Sequence, residues 1–145
     1  MATAFKSDQI TKIDSVPVQH VAPDELGGRV RRAYFSKQLP ASGLAIGDTI
    51  DLVILPLGAR VEGGQFVWDT AQGATATTAI GIVGTVGKYF AAAVTNALTV
   101  FRMADTIAQN YGVKTTVAER VIATNAAAAW TANSIIKGHV DYVVD

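Results

Sequence analysis

In the stretch GDTIDLVILPLGARV, residues 47–61, two apolar runs flank a Pro-Leu-Gly step. Ile50, Leu52 and Ile54 fall on one side and Thr49, Asp51 and Val53 on the other, the period of two that marks a half-buried strand. Pro56 suits the second position of a tight turn and Gly58 the fourth. Ala59 and Val61 then return to the apolar side, with Arg60 and Glu62 outside, so the stretch reads as a hairpin. Beyond Gly63-Gly64 the apolar set moves to Phe66 and Trp68. That change of parity needs one extra residue, and a β-bulge at the glycine pair supplies it.

The same alternation predicts seven strands: 28–39, 48–55, 59–69, 77–83, a piece of 88–101, 115–124 and 135–144. In the last, Ile136, Val140, Tyr142 and Val144 share a face with Gly138. Residues 89–108 are ambiguous, because Phe90, Val94, Ala97, Phe101, Ala104 and Ala108 have helical spacing while Thr95, Asn96 and Thr99 interrupt it. At most one short helix, near 89–93, is predicted there. Short strands separated by Gly and Pro turns imply an all-β fold, an antiparallel β-sandwich or jelly-roll-like domain. Residues 1–27 differ: Ile10, Ile13, Val16, Val18 and Val21 are spaced among polar residues, and Pro17 and Pro23 forbid a continuous helix. The expected organisation is an extended N-terminal arm, 1–27, and a single β-sandwich domain, 28–145. The arm either frays or lays its aliphatics on a neighbouring molecule.

A chain of 145 residues can bury one real core. Twelve Lys and Arg against twelve Asp and Glu leave no net charge, so the chain lacks the positive field that holds nucleic acid. Charged residues are 17% of the chain, below the roughly 25% of ordinary soluble domains. Such a surface either faces another protein or is simply neutral in Thr, Ser and Ala. The absence of cysteine removes disulfides and thiolate sites. The N-terminus has no signal-like layout and the most apolar stretch, 89–101, is too short for a bilayer. These features predict no membrane partner and synthesis in a cytoplasm.

Catalytic patterns fail in turn. GIVGTVGKYF resembles a phosphate loop, but Gly81 is one residue too far from Gly87 and Tyr89 replaces the hydroxyl that would hold magnesium. His20 and His139 each lack a second ligand at metal-binding spacing. No G-x-S-x-G elbow occurs, and Asp24, Glu25, Asp48, Asp51, Glu62 and Asp69 read as scattered turn and outer-face acids. The prediction is a protein without enzymatic activity, cofactor or metal.

What remains are candidate contact residues. In GRVRRAYF, Arg29 and Arg31 share one face and Arg32 the other, with Val30 and Tyr34. Charge on both faces marks a sheet edge, or a set of guanidinium groups that meets a partner's carboxylates. Trp130 in ATNAAAAWTANS is either packed inside the fold or central to a protein interface. The candidate partner-binding set is therefore Ile10, Ile13, Val16, Val18, Arg29, Arg31, Arg32 and Trp130. A second reading, a carbohydrate-binding jelly roll, rests on Trp68, Tyr89 and Trp130 forming an aromatic platform.

The segments GRVRRAYF, GDTIDLVILPLGARVEGGQF, AIGIVGTVGKYFAAA and KGHVDYVVD together resemble capsid decoration, or cement, proteins of tailed bacteriophages. The resemblance implies a β-sandwich that binds the outside of an assembled shell, as a dimer or trimer, and bridges neighbouring capsomers. Its partners would be the major capsid protein and further copies of itself, and its location the virion.

Overall fold

Most of the predicted alternation becomes strand. The computed structural model describes residues 14–19, 29–103 and 111–144. Its strands are β1 (Arg31–Gln38), β2 (Thr49–Leu55), β3 (Ala59–Trp68), β4 (Thr77–Ile82), β5 (Thr85–Val94), β6 (Phe101–Arg102), β7 (Glu119–Ala126) and β8 (Ile135–Val144). They form two antiparallel four-stranded sheets, ordered β1-β8-β3-β6 and β2-β7-β4-β5. No helix occurs among the described residues. The all-β sandwich is thus present, and it spans Val30–Val144. Residues 14–19 make a turn of their own, in which the Ser15 hydroxyl donates to the Pro17 carbonyl and accepts from the Gln19 amide.

Side chains from both sheets meet in one core. Phe66 of β3 is its centre, edge-on to Phe90 of β5 and stacked on Phe101 of β6, each at 5.1 Å. Leu55, Ala59, Val61, Ile80, Val121, Ile136 and Val140 fill the space around it. Among the polar groups that enter this core, one carboxylate is doubly paired. The Glu119 carboxylate, 7% exposed, accepts from the Lys88 ammonium and the Tyr89 hydroxyl. Burial, and then that bond to Glu119, pushes the Tyr89 phenol far above its ordinary range, so it stays a donor.

The Pro-Leu-Gly step proves not to close a hairpin. β2 lies in one sheet and β3 in the other, so the chain crosses the core at this corner. Alternation reports only that each strand buries one face, and it reads the same whether two strands pair or oppose each other. The turn position also shifts: the Ala59 amide donates to the Pro56 carbonyl at 3.2 Å, and Gly58 has φ +84°. Pro56 is therefore first and Gly58 third, where a type II turn requires a positive φ. Thr115 locks the corner. Its backbone carbonyl accepts from Gly58, its hydroxyl accepts from the Ala59 amide and donates to the Pro56 carbonyl.

The bulge in β3 is real, one residue before the glycine pair: Val61 pairs with Tyr142 and Gly63 with Asp141, leaving Glu62 unmatched. A second bulge, between Asp51 and Val53 in β2, was not expected from the alternation. It turns Ile54 outward, 63% exposed, and sends Leu55 into the core instead. The short helix near 89–93 is also corrected, because these residues belong to β5. There the pairing runs from Thr78 with Ala93 to Ile80 with Phe90, two steps against three. The extra residue lets the adjacent Tyr89 and Phe90 both be buried, so β5 lacks the clean alternation that would have marked it as a strand.

Candidate functional site

The outer face of the first sheet carries the most developed cluster of side chains. Arg32 of β1 and Asp141 of β8 stand opposite each other in register. The Arg32 Nε and one terminal nitrogen donate to the two Asp141 oxygens at 2.6 and 2.9 Å, the fork geometry that suits guanidinium and carboxylate. Two residues along, Tyr34 is 72% exposed, with the Arg32 guanidinium 6.0 Å from its ring centre. Tyr34 opposes His139 in register and meets it edge-on at 5.7 Å. His139 Nε2 lies 3.6 Å from Asp141 Oδ2.

β3 completes the face from the other side of β8, setting Gln65 beside His139 and Val67 beside Lys137. The result is an open groove of about 560 Å³ that runs across β1, β8 and β3 between Tyr34, Ser36, Gln65, Val67, Lys137 and His139. Its backbone floor includes Gly138.

The Arg32 hydrogen bonds hold the Asp141 carboxyl below its ordinary 3.8, against a smaller opposing effect of burial. The carboxylate is thus more stable in the folded chain than in the unfolded one. Its contribution is complete above the unfolded value and is lost as pH falls through the lower, folded value. Thermal unfolding scans should therefore show the advantage of the native chain over Asp141→Asn shrinking as pH falls below the ordinary carboxyl value of 3.8.

The residues singled out from sequence go to different places. Arg31 and Arg32 begin β1, which is an edge strand as charge on both faces implied. Arg32 is engaged within the chain by Asp141, whereas Arg31 and Arg29 are exposed. Val16 and Val18 are exposed, and Ile10 and Ile13 lie outside the described residues. Trp130 is 1% exposed. It packs on Trp68 with ring centres 5.2 Å apart, and its indole N–H donates to the Thr77 carbonyl at 3.3 Å. Of the two roles open to it, packing inside the fold is the one realised, because its apolar surface is already covered. Trp68 and Tyr89 are buried as well, so the three aromatics of the carbohydrate reading offer a sugar no platform.

Sequence reasoning missed Gln65, Val67, Lys137 and the role of Tyr34. They come from three strands, and only the register of β8 between β1 and β3 unites them. His139, noted in the sequence only for lacking a second metal ligand, is 12% exposed, edge-on to Tyr34 and beside Asp141.

A second surface lies at one end of the sandwich. Register and the short β2–β3 corner bring the end of β2, the starts of β3 and β7 and the β4–β5 turn together. Leu57, Val83, Val113 and Val117 sit there, all exposed. Four large aliphatics at one end of a neutral domain form the kind of patch that marks contact with other proteins. Among the described residues no group of three or more His, Asp or Glu could hold a metal ion, and no helix is long and apolar enough to cross a membrane.

No protein-family model and no curated protein matches the chain. Solved structures do. One chain of the cyanophage Pam1 capsid asymmetric unit is similar with a TM-score of 0.68 and 23% identity, over 91% of this chain and 97% of that one. Two phage capsids contain a chain of this fold. A chain in the capsid of Ralstonia phage GP4 is similar with a TM-score of 0.68 and 26% identity, over 81% of this chain and 86% of that one. High coverage in both directions means that the matched chains are of nearly the same length as this one. The likeness therefore runs along most of each matched chain.

Proposed function

We propose that this chain is a structural virion protein that binds the outer surface of a phage capsid and stabilises it by bridging neighbouring capsomers. Its partners in this reading are the major capsid protein and further copies of itself, as a dimer or trimer, and it performs no catalysis. The observation that carries the proposal is the likeness, over 81% of this chain, to a chain in the Ralstonia phage GP4 capsid. A small chain within a capsid adds to a shell more readily than it encloses one.

The surface chemistry agrees with that role. A chain without net charge and with exposed aliphatics at one end suits protein contacts. Many copies on a lattice give firm attachment even where each contact is weak. The N-terminal segment, with Ile10, Ile13, Val16 and Val18 spaced among polar residues, would extend the reach of each copy to its neighbour.

Sedimentation with preassembled shells that lack the protein tests the reading. Micromolar protein should pellet with the shells and raise their melting temperature. Protein left wholly in the supernatant, with shell melting unchanged, would refute it.

A further inference from the structure

The groove on the outer face of the first sheet is more than a depression between side chains. One face of Tyr34 is occupied by the Arg32 guanidinium, yet Arg32 does not line the groove whereas Tyr34 and Ser36 do. The rest of the Tyr34 ring is left to form a wall, and Val67 gives an apolar patch across from it. The groove lies over the middle of a sheet, where β8 is paired on both sides, so an occupant is recognised by side chains and not by an added strand.

Charge then selects among occupants. Asp141, the carboxylate of this cluster, is already held by both arms of the Arg32 fork. Lys137 at the groove and Arg102, opposite Gln65 on β6, are exposed and have no ion pair among the described residues. Among the described residues, the rim therefore has positive charge in excess of the carboxylates that pair with it. Its counterpart is a carboxylate beside an apolar side chain.

Resting on the capsid reading above, we infer that this groove seats an acidic segment of the shell protein. An Asp or Glu of that segment meets the Lys137 ammonium, and a neighbouring apolar side chain packs between Tyr34 and Val67. The first sheet then faces the shell, and the second faces away.

The test uses the full chain and the same preassembled shells. Lys137→Glu and Tyr34→Ala should each weaken shell binding by about tenfold or more with melting of the free protein nearly unchanged, since both side chains stand outside the core. Arg120→Gln, on the opposite sheet, should bind as the native chain does. Added salt should weaken native binding and leave Lys137→Glu less affected. If the native chain binds and the two groove variants bind equally well, this inference fails and the capsid reading stands. If only Tyr34→Ala loses binding and salt has no effect, the occupant is not acidic and the inference also fails. If the groove variants change the oligomeric state of the free protein, the seat belongs to a second copy. If the native chain does not bind, the capsid reading falls and the inference with it.

Discussion

Trp130→Ala should lower the unfolding free energy by about 4 kcal/mol, within the range found when a large buried aromatic is cut back to a methyl group. The indole is 1% exposed and packed on Trp68, so its removal leaves a cavity bordered by a second large ring that has lost its support. The part-buried Thr77 carbonyl loses its indole donor at the same time, which adds a smaller cost. Against a typical total of about 5–15 kcal/mol, such a loss should show as a lower urea midpoint and poorer soluble yield. Trp130→Phe should recover much of it, since the ring volume returns and only the N–H is missing. A Trp130→Ala chain with native stability and lost shell binding would instead make Trp130 an interface residue, contrary to its burial.

Gly138→Ala comes second, at about 3 kcal/mol, at the upper end of what overpacking usually costs. A Cβ at this position would stand 2.2 Å from the Gln65 carbonyl oxygen, 2.7 Å from Phe35 Cζ and 2.9 Å from Phe66 Cα. The phenyl tip of Phe35 can swing aside, but the other two atoms belong to the backbone of β3. Relief therefore requires the β3–β8 pairing to open at the centre of the sheet. Gly63, three pairs away on the bulge, has nothing within 4 Å of its would-be Cβ. Gly63→Ala should accordingly unfold near the native midpoint in urea, and equal losses at both positions would show that glycine flexibility, rather than close approach, is what matters at Gly138.

How much of this was readable in advance follows from what each signal measures. Alternation counts buried faces, and it located β2, β3, β4 and β8 within a residue or two. It says nothing about partners, which is why the Pro56–Ala59 corner read as a hairpin although it joins opposite sheets. Parity revealed the β3 bulge, because Phe66 and Trp68 are unmistakable markers of the buried side. In β2 the same device failed: Leu52, Val53, Ile54 and Leu55 are all aliphatic, and no contrast remains to show which of them turns inward. The groove was the least legible part. Tyr34, Val67 and Lys137 are unremarkable alone, and they become neighbours only when β8 is inserted between β1 and β3. Trp130 was legible as important but not as buried, since a tryptophan among alanines suits a packed loop and an interface equally well.

The strand order has a kinetic corollary. β8 is the bridge between β1 and β3, and the Arg32–Asp141 pair joins residues 109 apart in sequence. A ribosome that has released only β1 to β7 has produced a first sheet with its middle missing, and its edges have nothing to zip against. Loop closure over such a span slows folding. Completion of the domain, and with it any groove across β1, β8 and β3, is thereby deferred until synthesis has passed Val144.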